Sequence, residues 1–329
     1  MGITFCAKIC NGCCFAPDLR GTIAKDLVSD GVSASYPYAA LSVPPFANAA
    51  GVPHASPELY YVPDDPRLGK FRSDFANMLC LFEEREPGGY KKTQSTDDMV
   101  KDLQKDNDNS INQQDVLHAR LLDMFMMDFD RHEDQWRWAY DKNEKGKTFF
   151  PLPRDRDQPF FISKGIIPAF ARQNYISPQI QGFRSHAHNI RTYNFNARNF
   201  DRTFMNELNE DDWKKMSNEL LSKMTDSVIE DALHRQPPEL LKYSNSTIIQ
   251  KLKDRRKYFE GEMMDYYRFI SKIVNITGSN KKELFEITRN EDGSVLVKVS
   301  GINKEGEVAG KCMSENLILR YKGNTALWT

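Results

Sequence analysis

The chain has 329 residues, enough for one large domain or two modest ones with an ample core. Its 45 basic and 46 acidic residues leave a formal net charge of -1, so there is no general reason to expect nucleic acid or an anionic membrane as partner, and any such binding must be local. Hydrophobic residues at 40% and charged residues at 28% are ordinary for soluble globular proteins, and no apolar run approaches the roughly twenty residues that span a bilayer.

Residues 1–18 form a cysteine-rich segment in which Cys6, Cys10, Cys13 and Cys14 are spaced Cys-x3-Cys-x2-Cys-Cys. That spacing matches no common metal site and no histidine lies nearby, so the segment has no assigned role. Met1 to Phe15 also lacks the charged start and small-residue cleavage site of an export signal. Leu19 to Gly31 is a short helical candidate with Asp26 on its surface, and a small-residue helix follows that Pro44 and Pro45 can start and Gly51 can stop. Leu59 to Val62 and Asn77 to Glu83 read as strands separated by the turn Pro63-Asp64-Asp65-Pro66. Thr93 to Asp108 is polar, and Ser95 or Thr96 can cap a short helix through Met99, Val100 and Leu103.

Leu117, Leu121 and Phe125 lie four residues apart, the spacing of one buried helical face, so a helix should deliver Asp128 and Asp130 to a loop. Gln135 to Tyr140 then alternates with period two, a polar turn covers Asp141 to Gly146, and Lys147 to Leu152 reads as the returning strand of a hairpin. With the turn near Lys145, Gln135 should lie roughly opposite Asp155, and the open end of the hairpin gathers Asp130, Gln135, Asp155 and Asp157. Asp155 and Asp157 are two apart, which on an extended backbone puts both on one face. Converging carboxylates and an amide oxygen repel one another unless a hard cation joins them, and such oxygen ligands suit magnesium, manganese or calcium. The alternative is a surface cluster neutralised by Arg131, Arg137, Arg154 and Arg156.

Phe160 to Ile167 is apolar, and Arg172 to Arg202 is rich in Asn, Gln, Arg and aromatic residues. The latter suits a ligand loop in which Arg198 and Arg202 contact phosphate or carboxylate, or equally a long packed loop, with Arg184 and Arg191 assigned to packing. His186 and His188 lack a third ligand for a metal. Motifs for nucleophilic or dinucleotide chemistry, Gly-x-Ser-x-Gly and Gly-x-Gly-x-x-Gly, do not occur in a fitting context. From Asn209 the pattern is helical over 210–223, over 226–234 behind the cap Thr225, and over 248–274 with a buried stripe from Ile249 to Ile270. Glu283 to Thr288 pairs with Val295 to Val299 across Asn290-Glu291-Asp292-Gly293, and Leu317 to Tyr321 can add a third strand to a sheet with an open edge.

The loop Asp130-Arg131-His132-Glu133-Asp134-Gln135, between a helix and a hairpin that ends in an acidic motif, resembles the catalytic loop of atypical kinases of the lipid-kinase, HipA and spore-coat CotH type. Pro153-Arg154-Asp155-Arg156-Asp157-Gln158 is similar to the Pro-x-Asp-x-Asp segment of CotH-like proteins. The resemblance implies an α+β, kinase-like fold with a partial small lobe and hinge over 19–92, a mostly helical large lobe over 93–275 and a small C-terminal β region over 276–329. It implies that Asp130 orients an acceptor hydroxyl, that Gln135 takes the place of a metal-binding Asn, and that Asp155 and Asp157 hold Mg2+ or Mn2+ on the phosphates of ATP. Glu83 and Glu84 would lie at the hinge beside the nucleotide base, and Asp128, Arg131, His132 and Arg154 would support the loop. Gln135 departs from the pattern, since its longer side chain moves the amide oxygen outward. A complete kinase fold also needs earlier strands, a phosphate-covering loop and a clamping lysine; residues before Leu19 leave no room for them, and nothing in the sequence places Lys8 on a strand.

A second resemblance covers residues from about Leu19 to about Gly310. Leu19-Arg20-Gly21-Thr22, Ser35-Tyr36-Pro37-Tyr38-Ala39-Ala40-Leu41, Tyr61-Val62-Pro63-Asp64-Asp65-Pro66, Leu81-Phe82-Glu83-Glu84-Arg85 and Asn196-Ala197-Arg198-Asn199-Phe200-Asp201-Arg202 resemble a region of Bacteroidetes envelope proteins. In those proteins the region lies between a calcineurin-like metallophosphoesterase and an outer-membrane surface-antigen (BamA-type) barrel. This implies a fragment of such a protein, a location in the cell envelope, periplasmic or outer-membrane associated, and phosphoesterase and barrel domains as partners. Two functions follow as expectations: a metal- and nucleotide-dependent phosphotransferase impaired by its missing upper half, or a non-catalytic connecting domain.

Overall fold

The computed structural model describes residues 3–8, 36, 38–84, 87–90, 92–161, 181–242, 245–308 and 314–318. In chain order the elements are β1 (Ile3–Lys8), α1 (Ala39–Ala50), β2 (Glu58–Val62), β3 (Met78–Glu84), β4 (Gln94–Ser95), α2 (Thr96–Lys105), β5 (Ser110–Ile111), α3 (Gln113–Met126), β6 (Trp136–Lys142) and β7 (Lys147–Pro153). There follow α4 (Ile190–Tyr193), α5 (Arg198–Phe204), α6 (Glu210–Lys223), α7 (Asp226–His234), α8 (Asn245–Arg255), α9 (Phe259–Ile270), β8 (Glu283–Arg289), β9 (Val295–Gly301) and β10 (Ser314–Ile318). The fold is α+β. Its strands form three small sheets, ordered β1-β3-β2, β4-β6-β7-β5 and β10-β9-β8.

Local chemistry sets most element ends where the sequence places them. Asn112, Ser95 and Thr225 each accept a backbone N–H from the first turn of α3, α2 and α7, and Asn209 forms a capping box with Asp212 at the start of α6. Met127 closes α3 in the left-handed conformation at φ 54°, as Gly51 closes α1 at φ 76°. The β6–β7 hairpin and the β8–β9 hairpin are antiparallel pairs as expected, and β10 adds to β9 through Ser314–Ile318.

Three expectations are corrected. Pro44 and Pro45 lie inside α1 instead of starting it. They forgo two ladder hydrogen bonds, but both are buried, and α1 packs on α7 within the same core as α3, so tertiary burial outweighs the helix-breaking tendency. The helix expected over 248–274 is two helices, α8 and α9, broken where Arg255 turns inward, fully buried, to donate to Met124 O and Phe125 O at 2.9 Å each and to Glu262 Oε2 at 2.7 Å. Lys8 does stand on a strand: β1 pairs antiparallel with β3, Lys8 opposite Cys80. The helix expected over 19–31 with Asp26, together with Cys10, Cys13, Cys14, Arg85, Glu86, Ile162 to Ile167, Arg172 to Ile180, Cys312 and Leu319 to Tyr321, lies outside the described residues.

The core is one aromatic-rich cluster. Phe125 meets Phe46 and Phe259 edge-on at 6.3 and 5.5 Å, and Phe160 meets Phe183 at 5.1 Å. Each fully buried phenylalanine contributes about 1.5–3 kcal/mol. Tyr36 and Ser42 are tied to Gln236 by buried hydrogen bonds of 2.8 and 2.6 Å, so the segment leading into α1 is fastened to the end of α7.

The hairpin turn is anchored as tightly. Asn109 accepts Lys147 N at 2.9 Å, and a Cβ on Gly146 would stand 2.2 Å from the carbonyl oxygen of Asp108. Gly146→Ala is therefore expected to force the turn off the 106–109 loop and lower stability by roughly 1–3 kcal/mol, read as a lower urea midpoint at unchanged slope.

Candidate functional site

The site is built on the C-terminal half of α3. Asp123 is wholly buried and receives three guanidinium groups: Arg156 Nε at 2.8 Å, Arg131 Nε at 3.1 Å and Arg120 Nη1 at 3.3 Å. Burial pushes the Asp123 carboxyl up, but Arg131, Arg156 and Arg120 outweigh it and hold the group below the usual carboxylate range. Arg120 continues the network to Asp201 at 2.8 Å and Asn194 at 2.8 Å, and Tyr266 donates to Asp201 at 2.6 Å. Arg131 stacks over the Trp136 ring at 4.8 Å, and Trp136 is itself stacked on Phe200 at 4.6 Å, so the guanidinium rests on a packed aromatic pair.

Arg131 also fixes both ends of the hairpin. Its Nη1 donates to Gln135 Oε1 at 2.7 Å and to Arg154 O at 2.6 Å. The pairing register runs from Lys142 opposite Lys147 to Trp136 opposite Pro153, and Gln135 O accepts Arg154 N at 2.9 Å. The residue facing Gln135 is thus Arg154, not the expected Asp155. Asp155 has φ 54°, a left-handed conformation. The backbone is not extended there, so strand alternation does not set the directions of Asp155 and Asp157.

The carboxylates nevertheless sense one another. Asp130 is half-buried and accepts Asn196 Nδ2 at 3.1 Å. Burial raises Asp157 to about 7, with Asp155 and Asp130 adding to the effect. Asp128 is fully buried; its Oδ1 accepts Asp130 N at 3.3 Å and its Oδ2 has no partner. Burial lifts it to about 8 against the pull of Arg131, with Asp123 and Asp157 raising it further. Glu83, at the end of β3, is raised by burial and by Asp155 and lowered by Arg154. Glu84 is exposed.

The expected ligand set fits a divalent cation in part. Asp155 and Asp157 are hard oxygen donors in a region of accumulated negative charge that a cation would relieve. Gln135 does not fit, because it is buried with its amide oxygen committed to Arg131. Among the described residues no group of three His, Cys, Asp or Glu side chains stands close enough to hold a metal ion. The cavity between Ala40, Val43, His54, Glu83, Arg154 and Asp155 measures about 30 Å³, the space of a single water.

Other candidates make contacts of their own, and Arg184 and Arg191, expected to pack, are exposed. His132 lies with Nδ1 3.8 Å from Asp134 and Nε2 3.5 Å from the Gln135 amide nitrogen. Arg198 and Arg202 sit over the rings of Phe195 at 4.1 Å and Phe269 at 5.3 Å. Arg184 donates its backbone N–H to Met127 Sδ at 3.4 Å. Sequence reasoning missed Asp123 and Asn196. For Asp123 there was a signal, a lone acid within the apolar run Leu121 to Met127; for Asn196 there was none. No helix among the described residues is long and apolar enough to cross a membrane. No family model matches the sequence, and comparison with curated proteins finds no match.

Asp123→Ala leaves three buried guanidinium groups without their shared carboxylate and is expected to cost about 3–5 kcal/mol in chemical denaturation. The raised carboxyls act with the opposite sign. Asp128 and Asp157 keep their protons in the folded chain where the unfolded chain, with carboxyls near 3.9, has lost them, so their contribution is full below about pH 4 and is lost as pH rises through about 7 and 8. In chelator, Asp157→Asn should therefore reduce the fall in melting temperature between about pH 5 and about pH 8.

Proposed function

We propose that residues 113–157 form the lower half of a kinase-like, divalent-metal and nucleotide-type site in which phosphoryl transfer is impaired. The supporting observation is the succession of α3, the loop 127–135, the β6–β7 hairpin and the acidic turn 154–157, which brings Asp130, Asp155 and Asp157 within electrostatic reach of one another. Asp130 is the group to orient an acceptor hydroxyl, with its carboxylate held by Asn196. Asp155 and Asp157 are the groups to hold Mg2+ or Mn2+, which when bound would neutralise charge on the phosphates of ATP. Glu83 borders the cleft where a nucleotide would enter. The commitment of Gln135 to Arg131 removes the second metal position from this scheme.

The second reading is a non-catalytic connecting domain of a cell-envelope protein, between a metallophosphoesterase and an outer-membrane barrel. A specific observation favours it: the 30 Å³ cavity has no room for a nucleotide base as it stands. On this reading the kinase-like lower lobe is a scaffold held rigid by the Asp123 network.

Thermal unfolding with ATP and either Mg2+ or Mn2+ separates the two. A metal–nucleotide complex at a hundred times its Kd adds about 2.7 kcal/mol and raises the melting temperature by several degrees. The shift should be absent with Asp155→Ala and with ATP in chelator. No shift with any metal–nucleotide pair, together with binding to isolated phosphoesterase or barrel segments, would favour the connecting domain.

A further inference from the structure

A second concavity lies between the segment preceding α4 and the first turns of α9. Its volume is about 530 Å³, within the range of small-molecule sites. His186 and Tyr258 border it as a stacked pair, ring centres 4.8 Å apart and planes 15° from parallel, and Tyr258 is 45% exposed. Arg191 and Asp265 also line it and form a two-pronged ion pair, one arm running from Nε to Oδ2 at 2.9 Å. The floor is Glu262, whose oxygens are taken by Arg255 at 2.7 Å and by Ala187 N at 2.6 Å.

Charge decides against an anionic ligand. The cations Arg191, Lys257 and Arg255 are matched by Asp265, Asp254 and Glu262 respectively. With each charge locally paired, no net field attracts phosphate or carboxylate. The pairing leaves hydrogen-bonding capacity in place, since a carboxylate has about four acceptor sites and a guanidinium five donors, of which a two-pronged pair uses two each. A ligand for this cavity must offer alternating donors and acceptors to the Arg191–Asp265 rim, present a flat C–H surface to the aromatic pair, and carry no net charge.

We infer that the cavity binds a neutral sugar ring, the hydroxyls on Arg191 and Asp265 and the C–H face on Tyr258 or His186. The site is separate from the carboxylates at 128–157 and does not depend on the kinase-like proposal.

Gly261 supplies the decisive variant. It lies on α9 at the cavity, and a Cβ built there has nothing within 4 Å. Gly261→Leu replaces glycine with a better helix former and points its side chain into open space, so the fold should persist with an unchanged or higher melting temperature. The full chain is titrated by calorimetry and by saturation-transfer NMR with maltotriose, cellotriose and chitotriose, and in parallel with glucose 6-phosphate, glucuronate and adenosine. At least one neutral trisaccharide should bind with unit stoichiometry. Tyr258→Ala should weaken it about tenfold or more, Gly261→Leu should abolish it, and Asp155→Ala should leave it unchanged. Binding by none of the neutral sugars, binding confined to the charged sugars or to adenosine, or binding that survives Gly261→Leu would overturn the inference.

Discussion

The structure around the loop depends on one buried carboxylate. Asp123 sits on α3 where a helix facing the core would ordinarily carry an apolar side chain, and its desolvation is tolerable only because Arg120, Arg131 and Arg156 reach it from three different parts of the chain. Each of those arginines carries a further tie: Arg120 to α5 through Asp201, Arg131 to the hairpin ends, Arg156 to Ala119 O at 3.5 Å. An ion pair of this kind contributes little net stability over well-packed apolar residues, but removing one partner leaves an uncompensated buried charge, so the four groups are held together. The placement of Asp130 and Asp155 follows from this: the loop between them has its ends fastened to a single guanidinium.

A second buried pair fixes the far side of the same helix. Arg255 donates to the last carbonyls of α3, which a helix terminus leaves unsatisfied, and the guanidinium charge is favourable at that end of the helix dipole. Glu262 neutralises it from α9. The break between α8 and α9 falls between Arg255, which turns under α3, and Phe259, with Glu262 in the first turn of α9. Two charge clusters therefore hold the end of α3, and the loop that follows starts from a fixed point.

Local signals in the sequence account for the helix caps, both hairpins and the delivery of Asp128 and Asp130 to a loop. Apolar spacing and side-chain capping act over a few residues, so Leu117, Leu121, Phe125, Ser95 and Thr225 carry that information by themselves. What escaped was decided by distant partners. The left-handed backbone at Asp155 displaced the expected face of the acidic pair, the pull of α3 on Arg255 split a helix whose periodicity was unbroken, and core burial overrode two prolines in α1. Gln135 illustrates the same limit at the site: its spacing from Asp130 matched a ligand position, but its amide was claimed by an arginine four residues away whose direction is set by Asp123.

Charge and space at the site point in different directions. The buried network sets three arginines against Asp123 and Asp201, while burial and the neighbouring carboxylates Asp155 and Asp130 raise Asp157, a repulsion that a bound cation would relieve. Space above the turn is the limiting term. One wall of the cavity is α1, and moving α1 outward would uncover Phe46, Val43 and Ala47 and break the buried bonds from Gln236 to Ser42 and Tyr36. Each large apolar side chain so exposed costs about 1.5–3 kcal/mol. Opposite α1, Glu83 projects from β3, whose Cys80 and Leu81 are buried, and its carboxyl is raised by burial and by Asp155. The space beside Asp155 is therefore set by two packed walls, α1 on one side and β3 on the other.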